Sequence, residues 1–440
     1  MFYFLSIFTT FFIFTLPILL KREIFGINVY SFFLVVLFFQ LILRNLLMYF
    51  NIPSYEYVQS LMKGMSFDQF LLSSFIHLLS SLVIVFCYML SRKDYKFLYS
   101  FNNFSFLFKK PPQTRILLWI ILLLSVSIFA NYQFFSFFSF SFFSSFGLSS
   151  ELDSYNSMGY LRELAGLSIL SCFLSLAYFF ESKNRQMKLI FAFFAFLSFL
   201  LIIGNALLVS KRAILIVTLI GIWVISSFYN YRIPNFIKII FFMLFLSILV
   251  FMTSFRINFQ EFSFQGVDLN KFLDVSSYLI VNNGGIDVMK FQHLVNYVDT
   301  KGDYKNGELL SNLFLLAVPR SVWSEKPVNA DTQFGIEVYE ADTYGAGAVP
   351  PGILGEFFWD FSWIGVIVGS IIAGLVMGFL DKLLFFKKES IFIKVLFSVS
   401  LIWTGMNILG SGLVSTSIGV LVLIIPLIFI FFFSNLNFKS

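Results

Sequence analysis

Apolar runs long enough to cross a bilayer recur along these 440 residues, and they constrain the fold more than any other feature. Hydrocarbon offers no partner to a backbone N–H or C=O, so a run of roughly 17–25 apolar residues reads as a self-satisfied helix that spans. Such runs occupy 2–20, 26–43, 70–90, 116–136, 161–180, 189–209, 213–229, 238–255, 363–380, 395–413 and 415–433. The first is read as a span rather than a cleaved leader, because no basic residue precedes it and Lys21-Arg22 follows it in place of small residues. Only 12% of the residues are charged, against about a quarter in soluble proteins. The expected fold is therefore an all-α polytopic membrane protein of about 11 transmembrane helices.

Between two of these runs lies one long segment, 255–362, that is too polar to span. The stretch Phe255 to Trp363 holds 14 acids and 7 basic residues, net −7, while the rest of the chain is net +13. Basic residues cluster in alternate connectors, at Lys21-Arg22, Arg92 to Arg115, Lys183 to Lys188, Arg232 with Lys238, and Lys382 to Lys394. By the positive-inside tendency those connectors face the cytoplasm and 255–362 faces outward. Three regions result: N-terminal transmembrane helices over 1–254, a large outer loop over 255–362 with short interfacial helices, and C-terminal transmembrane helices over 363–440.

Several function classes fall away. The Lys and Arg residues are dispersed over connectors rather than gathered in one patch, so no nucleic-acid partner is expected. Cys87 and Cys172 lie inside apolar runs and only His77 and His293 supply imidazoles, so no metal site is expected. No Gly-x4-Gly-Lys-[Ser/Thr] pattern occurs, and no cofactor is expected.

What remains is a set of charged residues near the outer surface. Lys211 and Arg212 sit in a tight turn between two spans, as a snorkelling pair or as phosphate ligands. Arg256 leaves a span. Arg320 and Lys326 follow Pro319, which ends a short apolar stretch from Glu308 to Val318, with Trp323 between them as an interfacial anchor. Two cations and an aromatic there suit a lipid diphosphate, or a pairing of Arg320 with Glu325. His293, on a helix expected over 274–299, is a candidate base or a solvated residue. The stretch 327–347 reads as a flexible loop or lid. Pro350-Pro351 then opens a helix expected to run unbroken to about Asp381. Glu356 and Asp360, four apart on one face of it, fit either a charge at the positive helix start or a general base.

The residues PRSVWSEKP at 319–327, then Gly335 and PPGILGEFFWDFSWIGVIVG from 350, resemble the C-terminal part of the O-antigen and oligosaccharide repeat-unit polymerases, the Wzy proteins of bacterial inner membranes. VSKRAIL at 209–215 resembles their basic turn between spans. The resemblance implies a glycosyltransferase of GT-C-like architecture whose outer loop is periplasmic. It would join undecaprenyl-diphosphate-linked oligosaccharides at the periplasmic face, within membrane lipid, with a Wzz-type chain-length regulator as a partner. On that reading Lys211, Arg212, Arg256, Arg320 and Lys326 bind the diphosphate, and Glu356, Asp360 or His293 does the proton chemistry. Two other functions fit the layout less well: an O-antigen ligase, and a flippase, which would bury charge within its spans.

Overall fold

The computed structural model describes residues 9–11, 13–15, 28–38, 66–91, 105–137, 159–208, 212–229, 288–315, 323, 327, 330–339, 351–386, 389–401 and 413–436. Every regular element among them is helical. In chain order these are α1 (Val29–Leu37), α2 (Phe67–Ser91), α3 (Ser105–Phe108), α4 (Gln113–Phe137), α5 (Gly159–Ala165), α6 (Leu167–Glu181) and α7 (Arg185–Leu208). There follow α8 (Arg212–Phe228), α9 (Val288–Lys301), α10 (Glu308–Leu315), α11 (Ala330–Glu337), α12 (Gly352–Phe386), α13 (Ile391–Leu401) and α14 (Leu413–Asn435). Five stretches are long and apolar enough to cross a membrane: Asp68–Ser91, Gln113–Gln133, Glu163–Glu181, Arg185–Ala206 and Gly352–Phe385. Each contains or closely overlaps one of the expected runs. Large apolar side chains such as Phe129, Leu189, Phe193, Phe196 and Ile364 are exposed on them, as suits helices whose outer solvent is lipid. The chain is an α-helical membrane protein.

Two compact units interleave along the sequence, one of residues 1–94, 263–381 and 403–417, the other of 95–262, 382–402 and 418–440. In the second, a Cβ on Gly221 of α8 would overlap the Phe173 ring of α6, so the glycine lets that ring seat between the two helices. Arg115 at the start of α4 donates to the Ser434 and Leu436 carbonyls, 2.8 and 2.9 Å, satisfying the end of α14 where a cation is also favoured by the helix dipole. Lys394, buried on α13, lies 3.8 Å from Glu181 and 3.8 Å above the Tyr229 ring. Glu181 also meets Lys110 at 2.8 Å.

The first unit is built on α12. From Gly365 this helix carries a glycine every four or five residues, and each pair admits a different neighbour. A Cβ at Gly374 or Gly378 would overlap α2 at Ile84, Cys87, Tyr88 and Ser91, so α2 and α12 approach backbone to backbone, the small-residue contact that membrane helices favour. A Cβ at Gly365 would overlap the Phe357 carbonyl, and one at Gly369 would come within 2.8 Å of the Phe357 ring. In a straight helix residues eight apart are separated by about 12 Å. The expectation of an unbroken helix is therefore wrong: Phe361 (φ −137°, ψ 19°) and Ser362 (φ 59°, ψ −154°) leave helical geometry. The 352–360 segment turns back across the remainder of α12, with Phe357 seated over the first glycine pair.

Candidate functional site

Every residue from 351 to 360 is buried, because the successive side chains of Phe357-Phe358-Trp359-Asp360 each meet a different neighbour. Phe357 lies on Gly365 and Gly369. Phe358 packs edge-on against Phe291 of α9 (5.6 Å) and Trp363 (4.9 Å). Trp359 is wholly buried, its indole N–H donating to the Asp303 carbonyl at 3.0 Å and its ring facing Tyr297 of α9 (6.2 Å) and Phe334 of α11 (6.0 Å). Asp360 accepts the backbone N–H groups of Leu309 and Leu310 at 3.1 and 2.9 Å. Those are two of the donors that the first turn of α10 cannot satisfy internally, so Asp360 caps α10 from another element.

Helix α9 underlies this segment. It begins at Val288, so only the last stretch of the expected 274–299 helix falls within the described residues. Ser73 of α2 donates to the Val288 carbonyl at 2.6 Å, and the buried His77 ring meets Phe291 edge-on at 5.2 Å, tying α9 to the spanning helix α2. His293 faces the other way, its ring 5.5 Å from Tyr339 in the turn after α11.

The stretch expected to be a loop or lid contains α11, docked by the wholly buried Phe334 and by an ion pair at its C-terminal end. Lys305 Nζ lies 2.8 Å from Glu337 Oε2 and 2.9 Å from Asp303 Oδ2, and 5.2 Å above the Trp359 ring. Tyr297 places its hydroxyl 3.2 Å from Glu337 Oε2 and 3.4 Å from Asp303 Oδ2, sharing its one proton between the two acids. The turn that brings Lys305 here is set by Asn306 (φ 50°) and Gly307 (φ 91°); at Gly307 a side chain would be strained and would press on the Phe361 ring.

The electrostatics follow from these contacts. The Lys305 hydrogen bond holds the Asp303 carboxyl below its ordinary range. Burial alone would lower the Lys305 ammonium, but the hydrogen bonds to Glu337 and Asp303 outweigh it and the net shift is upward. Tyr297 is pushed up to about 12, first by burial and then by its two acidic neighbours. The Asp303 contribution to stability is present above its unfolded value of about 3.9 and is lost as pH falls through the lower folded one. That of Lys305 is present below about 10.4 and is lost as pH rises through the higher folded one.

Of the residues singled out in the sequence, Glu356 and Asp360 stand together on the 352–360 segment, Glu356 wholly buried and Asp360 nearly so. Their spacing of four puts both on one face of that segment, and Asp360 there meets α10. Arg212 opens α8. Lys211, Arg256, Arg320 and Lys326 lie outside the described residues. Tyr297, Asp303, Lys305 and Trp359 were missed. The available signal was Gly302-Asp303-Tyr304-Lys305-Asn306-Gly307, an acid and a base two apart between paired glycines. Among the described residues no group of three His, Cys, Asp or Glu is arranged to hold a metal ion. No family model, curated protein or solved structure matches the chain.

Proposed function

We propose that the chain is a glycosyltransferase that polymerises oligosaccharide repeat units carried on a polyprenyl diphosphate, acting at the periplasmic face of a bacterial inner membrane. The observation that carries the reading is Glu356. It is a fully buried carboxylate at the doubled-back end of a spanning helix, inside the stretch 317–380 that resembles the repeat-unit polymerases. Set at that turn, its carboxylate is the candidate acceptor for a substrate proton.

In this scheme Glu356 takes the proton of a sugar hydroxyl on the incoming lipid-linked unit. That oxygen forms a bond to the anomeric carbon of the growing chain as the bond from that carbon to phosphate breaks, and the polyprenyl diphosphate leaves with the electron pair. Arg320 and Lys326, from the same stretch, neutralise the departing charge. Asp360 holds α10 and is a positioning residue. A strain lacking the chain tests the reading through its lipopolysaccharide. Loss of the polymerase leaves one repeat unit on the lipid A core, loss of a ligase leaves none, and loss of a flippase strands units on the cytoplasmic leaflet.

A further inference from the structure

Lys305 is held by two kinds of contact, and only one kind belongs to α11. Its backbone N–H donates to the Trp359 carbonyl at 2.9 Å, its ammonium lies over the Trp359 ring, and Asp303 is two residues away in the same turn. These supports are fixed by the 302–307 turn and the 352–360 segment. Glu337 is different. It stands at the end of an eight-residue helix, far below the roughly 12–15 residues needed for stability alone, docked through Phe334, through this ion pair, and through the Tyr297 hydroxyl on Glu337 and the His293–Tyr339 ring contact of α9. If α11 lifts, Lys305 stays in place and loses one of its two acids. It then presents a partly bared ammonium beside Trp359-Asp360, with Glu356 one helical turn before Asp360. A phosphate oxygen offers that ammonium the same acceptor geometry with more charge than a carboxylate.

We propose that α11 is a lid latched by Glu337 on Lys305, and that a phosphate-bearing group takes the place of Glu337 on the Lys305 ammonium when the lid opens. The proposal rests on the polymerase reading only in naming the diphosphate of a lipid carrier as the occupant. A free pyrophosphate presents the same chemistry.

Hydrogen exchange on the full-length protein in lipid nanodiscs tests it without requiring turnover, so a failed polymerase reading and a failed latch give different results. Glu337→Gln should raise exchange over 330–337 about tenfold, as loss of one charge-assisted hydrogen bond would, while 288–301 is unchanged. Farnesyl diphosphate should produce the same rise in the wild type and none in Lys305→Met, with farnesol as the uncharged control. An equal response to inorganic pyrophosphate assigns recognition to the phosphates alone, and a response to farnesyl diphosphate only assigns it to a lipid headgroup. Unchanged exchange in Glu337→Gln overturns the latch. A diphosphate response that persists in Lys305→Met, or no response in the wild type, overturns Lys305 as the receptor.

Discussion

Two aspartates of α12 do the same job in different surroundings. Asp381 accepts the Val29 N–H at the start of α1 (2.8 Å) and the Tyr88 hydroxyl (2.6 Å), and Asp360 accepts two N–H groups at the start of α10. Around Asp381 the neighbours are α1 and the long apolar helix α2, which meets α12 in close glycine-mediated contact, with Tyr30 of α1 stacked on Tyr88 at 5.0 Å. Around Asp360 they are short helices, a positive-φ turn, a strained serine, a lysine shared by two acids and a second buried carboxylate. One carboxylate closes a helical bundle, while the other braces elements that are too short to be stable alone. Burial by itself therefore does not mark a reactive acid, and Glu356 has to be separated from its neighbours by experiment.

The largest expected effect divides chemistry from architecture. Glu356→Gln keeps the side-chain volume, so the protein should still fold and melt cooperatively while polymer formation falls roughly a hundredfold or more, the range for a lost general base. Both are read from the polymer ladder and from melting of the detergent-purified protein. A normal ladder would return Glu356 to the structural acids.

Trp359→Ala should come next, costing about 3–5 kcal/mol because it empties the site on which α9, α11 and the 302–307 turn converge. Exchange over α9 and α11 should rise together. If only one of them loosens, Trp359 is not their common anchor.

A sharper contrast comes from Asp→Asn at the two caps. At Asp381 one partner is a hydroxyl, which can rotate to accept from the new amide. At Asp360 both partners are backbone donors, so the amide must face one of them. Asp360→Asn should thus cost about 2 kcal/mol, with rising exchange in α10, and Asp381→Asn about 1 kcal/mol or less. Equal losses would break the distinction between the two ends.

How far the sequence reached follows from the same contrast. Where one helix face or hydrocarbon decides the structure, local pattern suffices: α2, α4, α6 and α7 fall where apolar runs do, and Pro351 directly precedes α12. The break at Phe361-Ser362 carries no proline or glycine, and no local pattern marks it, because its cause is the seat made for Phe357 by Gly365 and Gly369. Likewise α11 has little amphipathic pattern and forms because Phe334 finds Trp359. The pairing of Lys305 with Glu337 spans 32 residues and no spacing rule announces it. The shared face of Glu356 and Asp360 was legible, and the capping of α10 by Asp360 was not.

The smallest effect has the opposite sign. Ser362 adopts φ 59° and ψ −154°, a region essentially reserved for glycine, where other residues carry about 1–3 kcal/mol of strain. Glycine removes that strain, but costs about 0.5–1 kcal/mol in unfolded-chain entropy and loses the long hydrogen bond from Ser362 Oγ to the Tyr304 hydroxyl at 3.3 Å. The balance predicts that Ser362→Gly stabilises by about 1 kcal/mol or less, whereas Ser362→Val, branched at Cβ, destabilises. A rise in melting temperature for glycine with an unchanged ladder means the turn is imposed by packing on both sides of it. A fall would mean that the serine side chain itself holds the 352–360 segment back against α12, and residue 362 would then join Asp360 among the groups that shape the site.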